Sequence, residues 1–191
     1  MKHSIFFSFM LCILACSNHP DISQISSLET KELLSFQQLD SIHHLQIADL
    51  NEKGDRLQLC LHFVNRENQQ PLTNQEVILY HTNSSGDYEP LEAGNEQTAR
   101  LSGSAITDDL GRIFIETILP GSYGNSGDNR HIHTTVYGAK PEGYNIHFKQ
   151  YTGKMGKRFI KGSDQHFLAD LKYTLDSTLV TFLAIAVKNP K

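Results

Sequence analysis

Arg56-Leu57-Gln58-Leu59-Cys60-Leu61-His62-Phe63, residues 56–63, is the stretch that decides the fold class of this 191-residue chain. Leucine or phenylalanine alternates with other residues at a period of two, which is the pattern of a β-strand that buries one face. A helix would instead repeat its apolar residues every three or four positions. Cys60 lies within this apolar strand pattern, and we predict that it is a small buried residue rather than a nucleophile.

Further short strand patterns follow this stretch, and turn residues separate them. Strands are predicted at 76–82, 112–116, 131–137, 146–151 and 179–187. Many short strands with intervening turns indicate a sandwich or a barrel, and we predict an all-β, β-sandwich domain. The segments 89–103, 120–130 and 153–170 are predicted to be long loops, which in a small β-domain usually build a functional site.

The residues before the β-domain have a different pattern. Leu33, Phe36 and Leu39 recur at i, i+3 steps, which predicts a short N-terminal amphipathic helix that packs on the domain. The predicted organisation is a signal peptide over 1–16, a tether with this helix over 17–54, and the β-sandwich domain over 55–191.

The first residues resemble a bacterial lipoprotein signal. Lys2 and His3 precede an apolar run from Ile5 to Leu14 that is too short to span a bilayer as a helix, and Ala15-Cys16 follows. The resemblance implies that Cys16 is lipidated and that the protein is anchored in the cell envelope through this lipid alone. The alternative is an ordinary signal peptide cleaved nearby. The net charge is −4 and no basic run occurs, so a nucleic-acid partner is not expected.

The segment His131-Ile132-His133 is the first candidate for metal binding. On a strand, residues i and i+2 point to the same face, and their Cβ atoms lie roughly 7 Å apart. Two imidazoles at this separation are close enough to share one metal ion. The alternative is a pair of histidines on a solvated strand face.

Three other elements precede this pair in a distinctive order. They are the turn Ser84-Ser85-Gly86-Asp87 followed by Tyr88, the segment Thr107-Asp108-Asp109-Leu110-Gly111-Arg112-Ile113-Phe114, and the turn Pro120-Gly121-Ser122-Tyr123. With the histidine strand, this order resembles the intradiol ring-cleaving dioxygenases of the catechol and protocatechuate type. The resemblance covers roughly residues 55 to 140, the core of the predicted domain.

The resemblance implies a ligand set and a reaction. Tyr88, Tyr123, His131 and His133 match the ligands of one non-haem Fe(III) ion. A trivalent metal deprotonates a bound phenol, so two tyrosinates would favour Fe(III). The implied enzyme cleaves a small aromatic diol with O2, and Tyr123 is the ligand expected to leave and accept a substrate proton.

The match departs from the family pattern around these ligands. Asp128 stands where the family has an arginine, and Arg130 is the candidate to replace it if loop 124–130 is irregular, since on a regular strand it would point away from His131. The Thr-Thr-Gln stretch that usually follows is absent, although Gln150 lies nearby. His147 is predicted either to line the pocket or to lie on the surface.

Three hypotheses for function follow from these residues. The first is an envelope-tethered Fe(III) intradiol dioxygenase. The second is a module of the same fold that binds a metal, a catecholate or a partner without cleaving a ring, which the displaced arginine favours. The third is a zinc or copper site that uses the histidines only, and it leaves the two tyrosines unexplained.

Overall fold

The computed structural model describes residues 21–124, 129–153 and 162–190. One α-helix, α1 (Ser27–Gln37), precedes the strands. The strands are β1 (His44–Gln46), β2 (Arg56–Asn65), β3 (Glu76–His81), β4 (Leu101–Ile106), β5 (Arg112–Ile118), β6 (His131–Val136), β7 (Gly143–Phe148), β8 (His166–Ala169), β9 (Lys172–Tyr173) and β10 (Leu179–Val187). The predicted signal peptide and Cys16 lie outside the described residues.

These strands form two five-stranded sheets that pack face to face. The first sheet has the order β1-β5-β2-β10-β9, and the second has the order β4-β3-β6-β7-β8. The side chains between them form one large apolar cluster, to which β2 contributes Leu59 and Phe63 and to which β6 and β7 contribute Ile132 and Ile146. The predicted β-sandwich is therefore confirmed.

Helix α1 covers the outer face of the first sheet. Ser26 caps the helix N-terminus: its hydroxyl accepts from the Glu29 backbone N–H, and the Glu29 carboxylate accepts from the Ser26 backbone N–H. Leu33 and Phe36 pack on Cys60, together with Phe114 and Val180. Cys60 is 1% exposed, as predicted, and burial raises the pKa of its thiol.

The structure corrects three predicted boundaries. The predicted loop 89–103 contains the start of β4, and the predicted loop 153–170 contains all of β8. The strand predicted at 146–151 begins earlier, as β7, and its last three residues form a 3-10 turn, Lys149–Tyr151. Neither β4 nor β8 has a strong apolar alternation, so pairing with neighbours specifies these strands more than their own sequence does.

The residues before position 55 contribute a strand to the sandwich. Strand β1 pairs in parallel with β5 and so joins the first sheet. None of the helices in the described ranges has the length and the apolar character needed to cross a membrane. The division of the chain into three parts at residues 16 and 54 stays a prediction.

Candidate metal centre

Strand β6 carries two histidines on the outer side of the second sheet. His131 and His133 flank Ile132, which is fully buried in the core, so strand alternation turns both imidazoles outward. Pairing puts His133 opposite Tyr80 of β3 and His131 opposite His147 of β7. The Nε2 atoms of His131 and His133 lie 3.0 Å apart. The two histidines therefore present adjacent nitrogen donors on one face, as their spacing predicts.

The loop after β3 brings Tyr88 to these histidines. The side-chain oxygen of Asn83 accepts from the backbone N–H groups of Ser85, at 2.9 Å, and Asp87, at 3.1 Å, and so shapes the turn before Tyr88. The Tyr88 side chain is buried, with 7% exposed, and its hydroxyl oxygen lies 2.8 Å from Nε2 of His133. Nε2 of His133 thus lies within about 3 Å of one donor atom from the loop and one from its own strand.

Two glycines fix the turn before Tyr88 against the turn before Tyr123. The backbone N–H of Gly121 donates to the carbonyl of Asn83 at 2.8 Å. A Cβ on Gly121 would lie 2.3 Å from the backbone nitrogen of Gly86, which no real side chain tolerates. Only glycine permits this backbone contact, so the Pro-Gly turn has a structural role that fixes where Tyr123 begins.

Tyr123 lies beside Tyr88, and its hydroxyl is hydrogen-bonded to a carboxylate. Its ring centroid is 5.4 Å from that of Tyr88, and its hydroxyl donates to Oε1 of Glu96 at 3.1 Å. The Tyr123 side chain is 42% exposed, whereas Tyr88 is buried. The structure therefore brings Tyr88, His131 and His133 together and holds Tyr123 at the solvent side of this group.

The environment shifts the pKa values of all four side chains. Burial, and to a lesser extent the neighbouring imidazole, lowers the pKa of His131 to about 4, and burial lowers the pKa of His133. Burial raises the pKa of Tyr88, and the hydrogen bond to Glu96 raises the pKa of Tyr123. At neutral pH both imidazoles are therefore neutral, with nitrogen lone pairs available, and both phenols are protonated in the metal-free protein.

Comparison with known proteins shows the family to which this chain belongs. The family model Dioxygenase_C, described as Dioxygenase, matches residues 35–191. A 55-residue stretch is 38% identical to catechol 1,2-dioxygenase from Acinetobacter baylyi. The chain belongs to the intradiol ring-cleavage dioxygenase family. The stretch shared with the Acinetobacter enzyme covers 28% of this chain and 18% of the length of that enzyme.

Solved structures show the fold that the family shares. The intradiol ring-cleavage dioxygenase from Tetranychus urticae superposes with a TM-score of 0.56 at 18% identity, over 91% of this chain and 96% of that one. Catechol 1,2-dioxygenase from Pseudomonas arvilla C-1 superposes with a TM-score of 0.57 at 16% identity, over 77% of this chain and 56% of that one. At these identities the likeness concerns the fold alone.

The donor set of this family member fits a ferric ion. Metal–ligand bonds of about 2.0–2.1 Å, set at right angles, put neighbouring donor atoms about 2.9 Å apart. The separations of 2.8 Å from Tyr88 to His133 and 3.0 Å from His133 to His131 have this size. Within 21–124, 129–153 and 162–190, no three His, Cys, Asp or Glu side chains form a possible metal site. A ligand set of histidines with tyrosines joins neutral nitrogens to oxygens that a trivalent ion deprotonates.

Arg130, the candidate to replace the family arginine, makes contacts away from the donor group. Its guanidinium lies over the ring of Tyr151, 4.4 Å from the centroid, and Nη1 donates to the carbonyl of Pro120 at 3.3 Å. Asp128, which occupies the family position, lies outside the described residues. The role of Arg130 in catalysis therefore stays a prediction.

Sequence reasoning missed several neighbours of the site. Tyr80 stacks on the ring of His133 with centroids 4.5 Å apart. His147, left open between pocket and surface, is buried and stacks on His131 at 5.4 Å, and its Nε2 lies 2.8 Å from Nδ1 of His166. The sequence could have predicted the position of His147, because a turn centred on residue 139 places position 147 opposite position 131, as the structure does. No such local signal marks His166 or Glu96, which lie in predicted loops.

Proposed function

We propose that this protein is a non-haem Fe(III)-dependent intradiol dioxygenase that cleaves catechol-like aromatic diols with O2. The observation that carries the proposal is the convergence of the Tyr88 hydroxyl with Nε2 of His133 and Nε2 of His131 at 2.8 and 3.0 Å. Tyr123 lies in ring contact with this group. In the overall reaction the ring opens between its two hydroxyl-bearing carbons, and both atoms of O2 enter the resulting dicarboxylate.

The four side chains would divide the work according to their burial. Tyr88, His131 and His133 would hold the ion, since packing and hydrogen bonds fix their positions. A bound ferric ion would acidify the hydroxyls of a diol and activate its ring toward O2. Tyr123 is exposed and would be a fourth ligand that can leave; its phenolate oxygen would then take up a diol proton. Glu96 already accepts a hydrogen bond from this oxygen and would keep the protonated phenol in place.

The binding of a metal here should be visible as proton release. Both phenols have raised pKa values in the metal-free protein, so each must lose its proton when it becomes a ligand. Loading Fe(III) into weakly buffered protein should release about two protons per ion from the tyrosines. Release of no protons by the folded protein would contradict a tyrosinate site.

The decisive experiment uses the chain without residues 1–16. After Fe(III) loading, tyrosinate ligation should give a red-brown colour by ligand-to-metal charge transfer, and catechol should then consume O2. Tyr123→Phe should change the colour and abolish cleavage. A colourless protein that retains zinc would contradict the iron site. A coloured protein whose spectrum shifts with catechol, but which consumes no O2, would instead support the binding module.

We also propose that the chain is lipidated at Cys16 and anchored in the bacterial cell envelope. The support is the sequence alone, in which the apolar run of residues 5–14 ends in Ala15-Cys16 and a polar segment follows. Cells that express the full chain should incorporate labelled palmitate into it and retain it in the membrane fraction. Cys16→Ser should abolish both signals, and unchanged labelling in this variant would contradict the anchor.

A further inference from the structure

The carboxylate of Glu96 lies against the exposed edge of the candidate metal centre, in contact with the Tyr123 hydroxyl. Glu96 begins a 3-10 turn, Glu96–Thr98, that Asn95 caps by accepting from the backbone N–H of Gln97 at 3.2 Å. The backbone N–H of Leu91 donates to the carbonyl of Thr98 at 2.9 Å and closes the loop. These bonds fix the backbone that presents the carboxylate.

The gradient of exposure across the site shows where a ligand would enter. Tyr88 is 7% exposed and Tyr123 is 42% exposed, so the side of the donor group next to Tyr123 faces solvent. Glu96 is itself exposed, and its Oε1 lies 3.1 Å from the Tyr123 hydroxyl. A diol that binds the donors through its two hydroxyls would enter past this carboxylate, with its ring substituents toward solvent.

No described cation neutralises this carboxylate. In the part of the chain that the structure describes, Glu96 forms no ion pair, and the arginines of this region are engaged elsewhere. Arg100 pairs with Glu52 and Glu89 at 2.7 Å each, and Arg130 stacks on Tyr151. Among the described residues, the carboxylate beside Tyr123 therefore has no ion-pair partner.

We infer that Glu96 selects substrates by charge: it disfavours diols with a carboxylate on the ring and favours neutral or ammonium-bearing diols. Like charges near a protein surface repel by an amount that falls with distance and with salt. The carboxylate of Glu96 would likewise attract a cationic substituent on the ring. This inference deepens the proposed function and rests on it, because the diol must bind at the donors for its substituent to meet Glu96.

The test compares binding of three diols, independently of turnover. Protein without residues 1–16 is loaded with Ga(III), a redox-inert ion of ferric charge, and titrated by calorimetry with catechol, 3,4-dihydroxybenzoate and 4-(2-aminoethyl)catechol. In Glu96→Gln, the affinity for the carboxylated diol relative to catechol should rise about fivefold to tenfold at low salt, and that for the ammonium diol should fall by a similar factor. Both changes should shrink in high salt.

The matched control is Glu92→Gln, which removes the same charge from the same loop. The Glu92 carboxylate accepts from Nδ2 of Asn95 at 3.0 Å and has no described contact with Tyr123. Ratios of affinities are used because a displaced Tyr123 would change the binding of every diol together. Unchanged ratios in Glu96→Gln, or equal changes in both variants, would overturn the inference. Absence of binding by all three diols to the Ga(III)- and Fe(III)-loaded protein would instead defeat the proposed function, and the inference with it.

Discussion

The outer faces of the two sheets are built from similar strands and covered in different ways. On the first sheet, Cys60 and Phe114 lie under an amphipathic helix, which seals them from solvent through Leu33 and Phe36. On the second sheet, the corresponding face carries histidines and tyrosines, and loops cover it. A helix closes a face with apolar contacts along its length, whereas loops leave polar groups room to converge.

The two faces differ in whether their polar side chains can meet a ligand. Cys60 is a potential metal ligand in isolation, but burial raises the pKa of its thiol and the helix excludes partners. His131 and His133 have equally ordinary residue types and become a candidate site because two turns bring tyrosines to them. The covering layer therefore decides which face is structural and which is functional.

Truncation of Phe36, through which the helix covers the first sheet, should have the largest effect on stability. Phe36→Ala deletes a side chain that is 4% exposed, and the expected loss in the free energy of unfolding is about 3–5 kcal/mol. Denaturant titration measures it. Leu34→Ala, on the same helix at a residue that is 52% exposed, should change it by less than about 0.5 kcal/mol. The affinity of folded Phe36→Ala for Fe(III) should equal that of the parent protein. A loss of affinity in this variant would show that the two faces are coupled.

Removal of one oxygen donor from the second face should weaken the binding of Fe(III). Tyr88→Phe should lower the affinity for Fe(III) at least about 100-fold, measured by competition with a chelator, because a buried ligand is lost. Tyr80→Phe is the control, since its ring would still stack on His133, and its affinity should stay within a few-fold of the parent. Equal losses in the two variants would mean that stacking, rather than ligation by Tyr88, supports the site.

The contact between the two turns should be sensitive to a single methyl group. Gly121→Ala places a Cβ against the backbone nitrogen of Gly86, and overpacking of this kind costs about 2 kcal/mol. Thermal unfolding with and without Fe(III) should show a lower midpoint and weaker stabilisation by the ion. Gly143→Ala is the control because no atom lies within 4 Å of its added Cβ. Normal stabilisation by Fe(III) in Gly121→Ala would show that the turns need not touch.

The stability of the protein should depend on pH through His81, the histidine that joins the two sheets. His81 is fully buried, and its Nε2 lies 2.7 Å from Oγ1 of Thr117 on β5. Burial lowers its pKa from 6.5 to about 4, so between these values the unfolded chain binds a proton that the folded chain does not. Its contribution to stability is therefore present above pH 6.5 and is lost as the pH falls toward 4, by about 1.4 kcal/mol per pH unit.

Metal-free protein should be used for this measurement. Histidines on the outer face of the second sheet, such as His131, also have lowered pKa values, so the parent protein must be compared with a variant that lacks His81. His81→Gln should be less stable at neutral pH and should show a shallower loss on acidification, by about one proton. If its slope in acid equals that of the parent, His81 is not the group that remains neutral in the folded state.

Several parts of the fold and of the site follow from local sequence. The period-two alternation of residues 56–63 predicts β2, and the i, i+3 spacing of Leu33 and Phe36 predicts α1. The pair His131 and His133 must share a face of any strand that contains them. Strands β4 and β8 could not be predicted in the same way, because their short, mixed sequences become strands only by pairing with β3 and β7.

The sequence by itself determined the elements with a strong apolar period, such as β2 and α1, and the donor types, since periodicity follows from backbone geometry within a few residues. It also determined that Tyr88 and Tyr123 would each follow a turn. Only the tertiary structure decided that Tyr88 reaches His133 and that Glu96 meets Tyr123. These contacts join segments 10 or more residues apart, and they depend on sheet register and on the close approach of Gly86 to Gly121, which no local pattern encodes.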